Sequence, residues 1–230
     1  MSFVSTTLDV LSRLTPSSNT DDLFENETDL FNLLDLFATL SRAKYFQISH
    51  HLLQIFDSLA AAYSGVNSSF EHQKLELQFT WCVYVIGAAL VGRTPYQSTD
   101  EHDMIDAELT CKVLQLIHVV KSKAGDVRIL PSDIGNPLLT SYGQQKAPSP
   151  ILASSFLFFF QQFRKTYIGD QANRASKFYT KLGTLSGLSE QVHILNLIVE
   201  NMYALFFDFT RYVLLTPCVQ WIQFEKLVQQ

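Results

Sequence analysis

Residues 100–108 hold the densest polar group in the chain: Asp100, Glu101, His102, Asp103, Asp106 and Glu108. Carboxylates at i and i+3 beside an imidazole could hold a divalent cation or move protons. A metal centre of that type draws further ligands from a second helix with a matching motif, and none occurs here. The same residues also suit a helix start, because acids in a first turn offset the positive end of the helix dipole. A second group is basic: Arg164, Lys165, Arg174, Lys177 and Lys181 lie around a helix–Gly–helix corner. Five bases within 18 residues stand out in a chain this poor in charge, and they could meet an acidic protein surface or a phosphate. The plainer alternative for both groups is a solvated helix face.

Other reactive side chains are scattered. His50, His51, His118 and His193 have no partner at H-E-x-x-H spacing. Cys82, Cys111 and Cys218 form no C-x-x-C pair, and the first two fall in apolar helical patterns where a free thiol acts as a small hydrophobe. Neither a nucleophile elbow, a P-loop nor a G-x-G-x-x-G run occurs. An enzyme would have to draw its acid–base work from residues 98–108 alone. The expectation is therefore a protein without catalytic, cofactor-binding or metal-binding residues. Its candidates for partner contact are Asp100, Glu101, Asp103 and Asp106 on one side and Arg164, Lys165, Arg174, Lys177 and Lys181 on the other.

The elements that must carry these residues are helical. Residues 21–40 begin with acids and continue into a stripe of Leu30, Phe31, Leu33, Leu34 and Phe37. Residues 44–63 gather Leu52, Leu53, Phe56, Ala60 and Tyr63 on one face, and a polar loop follows from Ser64. From about Phe70 to Val91 the third helix becomes apolar all round, which requires cover on several sides. Its apolar run, Phe79 to Val91, is too short for a membrane span of about 20 residues. Ser98-Thr99-Asp100-Glu101 reads as a capping box for the next helix, with a carboxylate three residues after the hydroxyl. Residues 151–167 place Phe156, Phe159, Phe160, Phe163 and Tyr167 at i, i+3, i+4, i+7 and i+11. Residues 172–186 do likewise up to Gly187, Ser189 caps a segment to Met202, and Thr216-Pro217 opens a last helix.

Domain organisation follows from where this rhythm breaks. Residues 1–120 read as helical repeats and 121–150 as a surface loop holding four of the seven prolines. Helical repeats resume over 151–202, and 203–230 form a divergent helical tail. Sixteen Gly and Pro in 230 residues is roughly 7% against an average near 12%, too few breakers for a many-turned β-sandwich. The fold class is all-α, a HEAT-repeat-like α-solenoid fragment of antiparallel helix pairs.

Composition narrows the function classes. The chain is 47% hydrophobic and 17% charged, against about 25% charged in an average domain, which excludes a disordered charged tail. The net charge of −5 disfavours direct nucleic-acid binding, since phosphate contacts need clustered Lys and Arg. The first 15 residues, MSFVSTTLDVLSRLT, lack the basic start and apolar centre of a secretory signal, so an intracellular, reducing setting is expected.

Four strings carry a resemblance: WCVYVIGAALVGR (81–93), STDEHDMIDAELTCKVLQLI (98–117), FFFQQFRKTYIGDQ (158–171) and SKFYTKLGTLSGL (176–188). They resemble an internal segment of the exportin-7 / Ran-binding protein 17 family, within the importin-β superfamily. The likeness starts more loosely near Arg42 and fades near Met202. It implies a stack of helix pairs that binds protein cargo with the GTP form of Ran. It further implies contacts with nuclear pore proteins, shuttling between nucleus and cytoplasm, no cofactor and no membrane insertion. The resemblance transfers no binding residue. It also makes 230 residues look like a slice of a longer receptor, with end faces that expect neighbours.

Overall fold

The structure, a computed structural model, describes residue 6, residues 26–66, 68–92, 99–123, 149–168 and 177–187, residue 196 and residues 198–200. The described elements are α1 (Glu27–Ser41), a 3₁₀ turn (Arg42–Lys44), α2 (Tyr45–Ser64), α3 (Ser69–Gly92), α4 (Asp100–Lys123), α5 (Pro150–Tyr167) and α6 (Lys177–Ser186). Among the described residues there is no strand.

Local chemistry accounts for the helix ends. At the start of α1 the Asn26 side-chain oxygen accepts from the N–H groups of Thr28 (3.2 Å) and Asp29 (3.4 Å). Its amide in turn donates to Asp29 Oδ2 at 2.6 Å. The acids at 21 and 22, expected inside this helix, precede that cap. Ser149 caps α5 by accepting from Leu152 N–H at 3.3 Å, with Pro150 at the first helical position where its missing N–H costs nothing. Gly187 closes α6 at φ +70°, a left-handed conformation that side chains resist.

The helices stack in two layers. α1, α3 and α5 lie side by side in one; α2, α4 and α6 lie side by side in the other. Ring contacts fix the direction of successive helices: Tyr63 meets His72 while Phe56 meets Phe79, so α2 and α3 run antiparallel. Within the second layer Tyr45 meets Asp106 and Asp57 meets Lys112, so α2 and α4 run parallel. Alternation of this kind is an α-solenoid, in which each pair buries its apolar stripe against neighbouring pairs.

α3 is the centre of the core. Phe79 and every residue from Trp81 to Leu90 are buried, Gly87 included, because α1, α2 and α5 cover it on different sides. Ser69–Val91 is the one described helix long and apolar enough to cross a membrane, yet 78% of its most apolar window is buried inside the protein. Gly87 lets α5 approach: a Cβ there would stand 3.1 Å from Phe158 ring carbons and 3.2 Å from Phe159 Cα. The Phe158 ring lies over that gap, 5.6 Å from Phe31 and 5.3 Å from Tyr84.

Four expected features fall outside the described residues. They are most of the 121–150 loop, the whole 203–230 tail, the helix opened by Thr216-Pro217 and most of the segment capped by Ser189. At the loop's edges α4 continues to Lys123 and α5 starts at Pro150.

Candidate partner-binding surface

The polar group at residues 100–108 opens α4, and its cap sits one residue later than expected. Thr99 provides a capping hydroxyl: Oγ1 accepts from His102 N–H at 3.4 Å and lies 2.8 Å from His102 Nδ1. Thr99 N–H also donates to that Nδ1 at 3.3 Å. His102 thus fills the reciprocal position normally held by Glu in a capping box. Its ring packs on Phe46 at 4.4 Å and Tyr45 at 5.2 Å, tying the start of α4 to α2.

The four acids expected at a partner surface divide into two pairs. Asp100 and Glu101 are exposed in the first turn. Asp103 and Asp106 turn inward, at 3% and 0% exposure, so neither is presented to a partner. That corrects the expectation for these two, and the reason is helical geometry: positions three apart share a face, here the buried one. Asp103 Oδ2 accepts the backbone N–H of Lys177, the first residue of α6, at 3.1 Å. Asp106 accepts the hydroxyl of Tyr45 on Oδ1 and that of Tyr167 on Oδ2. Burying a carboxylate costs several kcal/mol in lost hydration, and charge-assisted hydrogen bonds of this kind offset it. The i, i+3 carboxylates are therefore a structural clamp.

The basic group is partly drawn into the fold as well. Lys181 pairs with Glu108 of α4 at 3.0 Å. Lys165 is exposed and its Nζ donates to Gln162 Oε1 at 3.2 Å; Arg164 is half-buried in the same last turn of α5. Lys177 is exposed, while its backbone is held by Asp103. Arg174 lies outside the described residues. On the other flank of α4, Lys112 pairs with Asp57 of α2 at 2.6 Å. Glu108 and Lys112, one turn apart, thus reach α6 and α2 respectively across one layer. The acidic and basic groups, far apart in sequence, meet along α4 and α6.

Sequence reasoning missed Tyr45, Tyr167, Asp57 and Lys112. Nothing in their local spacing marks them, because each acquires its role from a residue more than fifty positions away.

Of the other reactive side chains, Cys82 and Cys111 are spent on packing, while His193 and Cys218 lie outside the described residues. Cys82 is wholly buried and burial pushes its thiol up to about 12, which keeps it protonated and unreactive. Cys111 is buried too. Burial, with the Glu76 carboxylate adding to it, holds the Tyr63 hydroxyl well above the usual phenol range. His50 is exposed, while His51 and His118 are half-buried. Among the described residues no group of three or more His, Cys, Asp or Glu is placed to hold a metal ion. Asp100, Glu101, Lys165 and Lys177 are the exposed charges of the two groups.

Comparison with known proteins agrees with this architecture. Residues 11–205 match the family model described as exportin-7-like, TPR domain. Exportin-7-B of Xenopus laevis is 36% identical over 174 residues, covering 74% of this chain and 14% of that protein. Ran-binding protein 17 of Homo sapiens is 31% identical over 207 residues, 87% of this chain and 17% of its own length. Exportin-7 of Dictyostelium discoideum is 28% identical over 194 residues, 81% of this chain and 18% of its own length. No solved structure matches. The chain spans about one-sixth of the length of the relatives it matches. With its helices stacked in two layers and the family model covering most of its residues, the chain belongs to the exportin-7-like family of helical-repeat proteins.

Proposed function

We propose that this chain works as part of a nuclear transport receptor, binding protein cargo together with the GTP-bound form of Ran and moving between nucleus and cytoplasm through nuclear pores. The observation that carries the reading is the match of residues 11–205 to the exportin-7-like family model, over helices stacked as a solenoid. The activity is binding without catalysis. The carboxylates best placed by spacing for acid–base chemistry, Asp103 and Asp106, are engaged in the clamp between helices. The contact groups in this proposal are exposed Asp100 and Glu101 at the start of α4, with Arg164, Lys165, Lys177 and Lys181 at the α5–α6 corner. Arg174 belongs to the same basic group by sequence.

The test is retention of the purified 230-residue chain on immobilised Ran locked with a non-hydrolysable GTP analogue, compared with Ran loaded with GDP. GTP-dependent retention is expected. Retention in neither state sinks the receptor reading for this chain.

A second reading rests on the described helices themselves, which stack in two layers as an α-solenoid. Such a stack can act as a helical scaffold that binds proteins without Ran. Capture of the same partners with and without added Ran, in both nucleotide states, identifies that case.

A further inference from the structure

Three helix ends converge on one turn of α4. Tyr45, the first residue of α2, donates its hydroxyl to Oδ1 of Asp106, and Tyr167, the last residue of α5, donates to Oδ2. One turn earlier, Asp103 accepts the N–H of Lys177, the first residue of α6. The end of α5 is then bonded directly to α6: the Tyr179 hydroxyl donates to the Tyr167 carbonyl at 2.7 Å, and the Tyr167 and Phe178 rings stack at 3.9 Å. Tyr45, Asp103, Asp106, Tyr167 and Phe178 are all buried.

Helix ends are ordinarily where a stack of repeats frays and bends, because their outer backbone groups lack intrahelical partners. Here those ends are fastened to carboxylates that cannot swing away without leaving a charge stranded in the interior. Opening this corner by a few degrees would stretch several buried polar bonds at once. The two bonds to Asp106 also span both layers, since Tyr45 and Asp106 belong to one and Tyr167 to the other.

We propose that this cluster is a locked joint, which makes α2, α4, α5 and α6 open and close as one unit. The stretch then presents partners with a fixed curvature, and any flexing of the repeat stack takes place elsewhere.

Hydrogen–deuterium exchange of the whole 230-residue chain, followed by mass spectrometry on peptides from each helix, tests the joint. In the unaltered chain, central amides of α2, α4 and α6 should exchange at rates within tenfold of one another. Tyr45→Phe cuts the link on the α2 side and should speed α2 at least tenfold relative to α6. Tyr167→Phe and Asp103→Ala, which remove the hydroxyl donor and the carboxylate acceptor, cut the links on the other side and should do the reverse. A wider spread of rates in the unaltered chain overturns the proposal. So does acceleration of α2 and α6 by the same factor in both kinds of variant, which a merely destabilising substitution would produce.

Discussion

Replacing Gly87 by Ala should destabilise the protein, although alanine is the better helix former. A Cβ at this position stands 3.1 Å from two carbons of the Phe158 ring and 3.2 Å from Phe159 Cα. Carbon atoms prefer about 3.5–4.0 Å, so each contact is several tenths of an ångström too short. The ring has little room to retreat, since Phe31 and Tyr84 flank it at 5.6 and 5.3 Å, and Phe159 Cα moves only if α5 moves. Overpacking of this kind costs about 1–3 kcal/mol. Alanine returns about 1 kcal/mol over glycine in a helix interior. The net loss is then about 1 kcal/mol, which in a domain of this size lowers Tm by about 2–4 °C.

Circular dichroism at 222 nm during urea and thermal unfolding measures that loss. The background Phe158→Leu supplies the control, since it shortens the side chain responsible for two of the three contacts. There the penalty of Gly87→Ala should vanish or change sign, a coupling of about 1–2 kcal/mol. A higher Tm for Gly87→Ala in the native background would refute the close-approach argument. So would a penalty that persists undiminished in the Phe158→Leu background.

Asp106→Leu should cost about 3 kcal/mol, because it takes the acceptor from both Tyr45 and Tyr167. Adding Tyr45→Phe and Tyr167→Phe should recover at least about 1 kcal/mol of that in denaturant titrations, and a triple variant weaker than the single one would contradict the clamp. Thr110 is buried and its hydroxyl has no hydrogen-bond partner among the described residues, so Thr110→Val should raise stability by about 1 kcal/mol, checked by the urea midpoint. Alkali should weaken the fold through Cys82, whose thiol moves from an ordinary 9.0 to about 12 on burial. The folded pKa is the raised one, so this contribution is whole below pH 9 and is lost as pH rises from there toward 12. The slope is about 1.4 kcal/mol per pH unit. Tyr63 and Tyr84, whose folded values are also raised, add to the loss above pH 10. Stability of Cys82→Ala measured from about pH 8 to about 10.5 should show a shallower decline, and an unchanged slope would count against a protonated thiol.

The helices were legible in the sequence wherever their signals are local. The Phe156–Tyr167 stripe, the all-round apolar run from Phe79 and the stop at Gly187 depend on residues within four positions of one another, and each stands where its pattern placed it. Errors occur where two local signals compete. Acids at 21 and 22 suggest an early start for α1, yet Asn26 makes the cap. Ser98 suggests the cap of α4, yet Thr99 makes it, because His102 can answer Thr99 from three residues on. The Ser149-Pro150 pair marks a helix start as clearly as Thr216-Pro217 does, but the surrounding prolines drew it into the loop.

The candidate site was less legible, and for a different reason. Spacing alone put Asp103 and Asp106 on one face of α4, and their carboxylates made that face look like a surface. Their burial depends on Tyr45 and Tyr167, each 61 residues from Asp106. The pairing of Lys181 with Glu108 likewise needs α4 and α6 side by side. Sequence by itself determined that the chain is helical, where most helices run and which family the strings resemble, because periodicity, capping and ordered similarity are properties of short stretches. Only the tertiary structure decided which charges stay at the surface and which clamp the stack, because a carboxylate can leave water only where donors from distant helices arrive to meet it.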